Sequence, residues 1–245
     1  MRHLPKVVFA LLAFSISSQA DERPTATAEV VTQLEALIAN PERPDRHVAR
    51  DQYRHPLETL TFMGIKPTET VVEIFPGGQG GWYRRIIEPL IEQGGGDYHP
   101  VRGRAGWPEN TAEGVPYGEV DMVFVFRVHG FLIYGAPAED HVSDIFRMLK
   151  PGGYFGIVDH AEREDVEQDP VSQNGYVKES YFRAMAEAAG FELVRTSDVN
   201  RNPGDTKEHP MGVYSLPPSL RGPNKDEHRA VGESDRFTHL YRKPS

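Results

Sequence analysis

The chain has no cysteine among its 245 residues, which removes disulfides, thiolate metal sites and cysteine nucleophiles together. It is also short of positive charge. With 27 Lys and Arg against 36 Asp and Glu, the formal charge is −9, counting the 10 histidines as neutral. Nucleic-acid binding needs a basic footprint for phosphates, so this balance argues against it. The histidines are dispersed without an H-E-x-x-H spacing, and no metal site is expected. Ser180 and Ser234 lack a G-x-S-x-G elbow, so serine hydrolase chemistry has no support. Internal repeats and low-complexity tracts are absent. What remains, 38% hydrophobic and 10% aromatic residues, is enough to anchor one core.

The first twenty residues read as a secretory signal. Arg2 and Lys6 charge the front, Val7–Ile16 is an apolar run, and Ser18-Gln19-Ala20 places small residues before Asp21. A bilayer-spanning helix takes ~20 apolar residues, so this run is too short, and no later segment reaches that length. The expectation is residues 1–20 as a signal peptide and 21–245 as one exported domain. The protein would be periplasmic or secreted, with no membrane contact after cleavage.

Hydrophobic periodicity along 21–245 alternates between helix and strand. Ala28–Asn40 carries a helical stripe, and Arg46–Leu60 reads as a second helix despite Pro56. Thr70–Phe75 is a β-branched strand that meets Pro76-Gly77-Gly78-Gln79-Gly80-Gly81. Trp82–Gln93 follows with helical spacing, kinked or divided by Pro89. Asp97 begins a second strand, and Asp121–Val128 is an apolar strand of the kind buried on both faces. Ala138–Leu149 reads as a helix closed by Lys150–Gly153, and Tyr154–Val158 as a strand. Tyr176–Ala189 is a helix, Phe191–Val199 a strand, Asn200–Asn224 a loop and Arg236–Tyr241 the last strand. Strands separated by helices predict an α/β fold. It is a doubly wound, Rossmann-like sheet, mostly parallel, with an antiparallel C-terminal edge strand and an N-terminal helical flank.

In such a sheet, ligands bind beyond the carboxyl ends of the strands. The glycine turn after the first strand stands there, with Glu73 four residues before Gly77. Glycines permit φ > 0 and a close backbone approach. Phe75 and Gln79 stand where the first and third glycines of an alternating pattern would fall. A pyrophosphate cradle, and with it a nicotinamide dehydrogenase, is therefore disfavoured against a ligand without phosphates.

The segments RDQYRHPLETLTFMGIKP, VVEIFPGGQGGWY, FRVHG, FRMLKPGGYFGIVDH, NPGDTKEHPMGVYSLPP and GESDRF carry a resemblance. Together they resemble the class I S-adenosylmethionine-dependent methyltransferases, and more narrowly a group of exported bacterial members, from Arg50 to Phe237. The resemblance implies methyl transfer from S-adenosylmethionine to a small or medium acceptor. It implies a cofactor contact at Glu73, Phe75, Pro76, Gly77, Gly78 and Gly80, with Arg127, Val128 and His129 beside the reacting centre and Asp159 and His160 at the same mouth. Three departures stand out. The group reads RN-x-HNW where this chain has Arg127-Val128-His129-Gly130. No acid ends the second strand, where Arg102 and Arg104 lie instead. The stretch from Val101 to Asp121, which must hold a crossover helix and a third strand, has no helical stripe, so the layer that packs the adenine is expected to be shortened, or rebuilt around Trp107 and Tyr117.

Among the polar groups, His129 is a candidate general base, since an unperturbed imidazole titrates near ~6.5. Asp159-His160 reads as an oriented acid–imidazole pair or as polar residues leaving a strand. Glu233-Ser234-Asp235-Arg236 reads first as a buried carboxylate–guanidinium pair closing the fold and second as a substrate contact. Arg50, Asp51, Arg54 and His55 read as a lid over the glycine turn or as a solvated helix face. The alternative to an enzyme is a catalytically degenerate, methyltransferase-like binding module. The departures at the second strand motivate it.

Overall fold

The structure, a computed structural model, describes residues 23–77, 80–102, 112–127, 131–132 and 137–245. The expected signal peptide lies outside them, as do Gly78, Gln79, Trp107, Val128 and His129. The apolar stripe after residue 27 forms α1 (Ala28–Ile38). Val30, Leu34 and Leu37 are buried on one face, and the Thr27 side chain accepts the Val30 N–H as the cap. The single helix expected over Arg46–Leu60 is instead three: α2 (Asp45–Val48), α3 (Asp51–Arg54) and α4 (Pro56–Met63). His55 makes the last break by taking φ +41°. Pro56 then opens α4, where its missing N–H is not needed.

The sheet begins with β1 (Thr70–Ile74), followed by α5 (Arg84–Gly94), which runs undivided across Pro89. Next come β2 (Asp97–Val101), β3 (Val120–Val125), α6 (Ala138–Met148) and β4 (Leu149–His160). The chain closes with α7 (Glu179–Ala188), β5 (Glu192–Ser197), α8 (Lys225–Val231) and β6 (Arg236–Arg242). Spatial order is β2-β1-β3-β4-β6-β5. The first four of these strands are mutually parallel, and β6 runs antiparallel to both β4 and β5. This is the expected mostly parallel α/β sheet with an antiparallel pair at one edge; within that pair β6 lies inside and β5 outside.

Boundaries moved for physical reasons. β4 starts at Leu149 rather than Tyr154, because Lys150–Gly153 pair onward: Gly152 donates to the Lys243 carbonyl and Lys243 to that of Gly153. The helix expected from Tyr176 starts at Glu179. Val177 is bridged to Ala161 as extended chain, and the Tyr176 hydroxyl donates to Asp205. α8 stands between the expected loop, which ends at Asn224, and the expected last strand, where the sequence suggests no element. Between β2 and β3, residues 112–119 are turn, with Tyr117 donating to Asp144 on α6 and accepting the Ala112 N–H.

Alternation along the strands feeds two cores. Val71, Met122, Phe124 and Val158 meet α1, α4 and α5 on one face. Val72, Ile74, Val123, Val125, Phe155 and Ile157 meet α6 and α7 on the other. The N-terminal flank is fastened by charge. Buried Arg23 donates to both Glu69 oxygens at 2.8 and 2.6 Å and to the Met63 and Gly64 carbonyls, and it lies over the Tyr154 ring. Removing one partner of a buried pair leaves the other charge uncompensated. Arg23→Met should therefore cost roughly 3–5 kcal/mol by urea denaturation, and adding Glu69→Leu should recover most of that loss. A single-variant loss under ~1 kcal/mol would contradict the assignment.

Candidate functional site

The carboxyl ends of β1, β3 and β4 open into a cleft of about 310 Å³. One wall is the turn after β1. Gly77 takes φ +81° there, and a Cβ on Gly81 would sit 1.7 Å from the Pro76 carbonyl oxygen, so only glycine can bring α5 this close to the strand. A Cβ on Gly80 would meet nothing within 4 Å, which leaves that backbone open to the cleft it lines. Phe75 occupies the place of a glycine and takes its conformation, φ +52°. It is held by its N–H to Val101, by Arg127 donating to its carbonyl, and by its ring edge-on to Phe131.

The opposite wall comes from the flank. Trp82 donates from Nε1 to the His47 carbonyl at 2.8 Å, and the guanidiniums of Arg43 and Arg54 both lie over its ring. Tyr83 stacks on Phe126 with centroids 3.6 Å apart. α2 and α3 are thus a lid seated on the start of α5, one of the two readings the sequence left for Arg50–His55. Arg50, Arg54 and Arg236 all donate to buried Glu233. Burial alone would push the Glu233 carboxyl up, but Arg236, Arg54 and Arg50 outweigh it and hold it down to about 2. The buried pair inferred for Glu233–Arg236 is therefore one carboxylate shared by three guanidiniums.

Two further groups have unusual protonation. Glu73 is buried yet lines the cleft, accepting the Tyr98 hydroxyl at 2.6 Å. Burial drives its pKa up to about 7, against the pull of Tyr98, Arg84 and Arg127. His47 also lines the cleft with its Nδ1 buried and unpartnered. Burial, then the field of Arg46, Arg85, Arg43 and Arg50, lowers its pKa and keeps it neutral.

Of the residues singled out in the sequence, the structure brings Glu73, Phe75, Pro76, Gly77, Gly80, Arg127 and His160 to this one cleft. Gly78, Val128 and His129 lie outside the described residues. Asp159 is buried, accepts the backbone N–H of His160 at 2.7 Å and is not among the lining residues. The His160 imidazole instead meets the Ser234 hydroxyl through Nδ1. Arg102 is exposed and outside the lining. Sequence reasoning missed His47, Phe126 and the Val213–Ser219 loop. That loop reaches the cleft because Val213 donates to the Asn174 carbonyl, a long-range contact with no local signal. Among the described residues no group of three or more potential ligands could hold a metal, and no helix is long and apolar enough to cross a membrane.

No protein-family model matches the chain, and no curated protein matches it. Solved structures do. A SAM-dependent methyltransferase from Aquifex aeolicus superposes with a TM-score of 0.52 at 14% identity, over 87% of this chain and 98% of that one. The Haemonchus contortus phosphoethanolamine N-methyltransferase 2, in complex with S-adenosyl-L-methionine, gives 0.47 at 12% identity, over 88% of this chain and 57% of that one. At these identities the likeness is one of fold: a Rossmann-like methyltransferase architecture.

The Glu73 geometry has a pH consequence. A carboxyl that keeps its proton to about pH 7 when folded, against an ordinary 4.5, adds no penalty below about pH 4.5. The penalty grows as pH rises through 7 and is constant above. Glu73→Gln should therefore match the wild type near pH ~4.5 and exceed it at pH ~8, by up to about 3 kcal/mol in urea denaturation. A wild-type advantage at the higher pH would contradict this.

Proposed function

We propose, with the shared methyltransferase-like fold as premise, that the protein binds S-adenosylmethionine in this cleft and methylates a small or medium acceptor. The observation that carries the reading is the glycine backbone at Gly77, Gly80 and Gly81 by the carboxyl rim of β1, lining a cleft of about 310 Å³, a volume at the lower end of the ~300–1,000 Å³ usual for ligand sites. The residues fit the amino-acid end of such a cofactor. Gly77 and Gly80 leave the backbone approachable, and Glu73 can ionise against a cationic group, which would draw its pKa back down. Gly78 and Val128 complete the cofactor set proposed from the resemblance, and Arg127, already fixed on the Phe75 carbonyl, stands beside it. When bound, S-adenosylmethionine supplies an electrophilic methyl carbon on a sulfonium sulfur, which leaves as a neutral thioether once a nucleophile's lone pair takes the methyl group.

The protein's part is chiefly positioning, because an activated methyl needs alignment more than polarisation. The lid over Trp82 and the stacked Tyr83–Phe126 pair exclude water from the wall opposite the glycines. His160, held by Ser234, is placed to accept a proton from the acceptor, with His129 as the second base from the sequence and Asp159 fixing the chain at His160. The signal pattern at residues 1–20 supports export of the domain to the periplasm or beyond.

A second reading, a binding module without turnover, is favoured by one feature. β2 ends at Val101 and is followed by exposed Arg102, not by an acid for ribose hydroxyls. Calorimetry with S-adenosylhomocysteine tests the cofactor site. Gly80→Trp should weaken binding at least ~10-fold, about 1.4 kcal/mol, with unchanged thermal stability, since the space at Gly80 is empty. Equal affinity in both proteins, or no binding to the wild type, would overturn the site. Binding without methyl transfer to any acceptor in a small-molecule panel would select the module.

A further inference from the structure

The lid and the end of the Glu233 segment hold more positive charge than the fold neutralises. Three guanidiniums, Arg50, Arg54 and Arg236, converge on the single Glu233 carboxylate. Arg50 and Arg54 reach it through Nε, at 3.0 Å for Arg54, and no described residue supplies an acceptor for their terminal nitrogens. Both line the cleft, as does Arg127. The other carboxylate in the lining is Glu73, whose pKa burial raises to about 7 and one of whose oxygens accepts the Tyr98 hydroxyl. Asp51, which lies between the two arginines in sequence, is taken by Arg43, and Asp235, beside Arg236, by Lys207, Arg201 and the Asn202 N–H. Two neighbours register the surplus. Burial, then Arg236 and Arg50, brings Arg54 down to about 10 despite Glu233, while burial and then Arg46, Arg85, Arg43 and Arg50 lower His47.

Arginine stays charged at neutral pH, so the imbalance cannot be relieved by losing a proton. A planar fork with free terminal N–H groups facing a partly enclosed cleft is suited to an oxyanion. We propose that the cleft has an anion subsite formed by Arg50 and Arg54, and that it takes a small organic molecule bearing a carboxylate or phosphate. Under the methyl-transfer reading above, on which this part rests, that molecule is the acceptor. Glu233 is the resident counterion that holds the two guanidiniums in place and competes with the ligand for them.

The test is calorimetry with benzoate, phenyl phosphate and neutral benzyl alcohol, each with and without saturating S-adenosylhomocysteine. At least one of the two anions should bind in both conditions and the alcohol should not, with the stronger anion identifying the headgroup. Arg50→Gln and Arg54→Gln should each weaken that anion tenfold or more, with Arg50→Lys recovering part of the loss. Glu233→Gln should tighten it several-fold, a sign that a purely structural role for the cluster would not produce. Thermal melts identify any variant that fails to fold, and the half-buried Arg50 pair of variants then decides. Anions that bind all variants equally, or none, overturn the subsite. Anions displaced by S-adenosylhomocysteine, together with loss of that compound in Arg54→Gln, overturn it too, because the arginines then serve the cofactor's own carboxylate. If S-adenosylhomocysteine does not bind while the anion still depends on Arg50 and Arg54, the subsite stands and the methyl-transfer reading falls.

Discussion

The architecture turns on a steric constraint at the end of β1. The chain must reverse so tightly that Gly81 faces the Pro76 carbonyl with no room for a single carbon. That closeness sets where α5 begins, and so where Trp82 and Tyr83 stand. Those two aromatics then seat the lid: Trp82 through the His47 carbonyl and two guanidiniums, Tyr83 by donating its hydroxyl to the Arg54 carbonyl while its ring stacks on Phe126 at the end of β3. The cleft is the space this arrangement leaves open. A bulkier turn would move the helix, and with it the wall opposite the strands.

Charge completes what sterics begin. Glu233 joins the lid to the start of β6, so the first and last parts of the described chain meet across the cleft. Buried charges are costly unless paired and hydrogen-bonded, and Glu233 is satisfied threefold. Among the described residues, the terminal nitrogens of Arg50 and Arg54 have no acceptor. Glu73 shows the complementary case, a carboxyl whose burial makes it better kept protonated until a cation arrives. Glu73 with its raised pKa, His47 with its lowered one, and the two lid arginines are the basis of the proposed anion subsite.

Much of the fold was legible because its strands are buried on both faces. Met122–Val125 reads as a continuous apolar run for that reason, Thr70–Phe75 reads as a strand by its β-branched residues, and the glycine turn between β1 and α5 announced itself by composition. Other elements were obscured by long-range contacts. Lys150–Gly153 has the look of a turn, yet Lys243 supplies its ladder bonds. α8 buries only His228 and carries no stripe. The left-handed turn at His55, which splits one expected helix, has no local mark beyond the proline after it. At the site, Glu73, Phe75, Pro76, Gly77, Gly80, Arg127 and His160, grouped by the sequence, line one cleft, whereas Asp159 does not. The sequence could not decide whether Arg50 and Arg54 faced solvent or ligand, because that depends on Glu233, some 180 residues away.

The most direct measurement is a crystal structure of residues 21–245 grown with S-adenosylhomocysteine. The account predicts the ligand's amino-acid end against the Gly77–Gly81 backbone beside Glu73, with the terminal nitrogens of Arg50 and Arg54 left for a second molecule. Ligand density elsewhere on the protein, or a cleft that stays empty at saturating ligand, would contradict it.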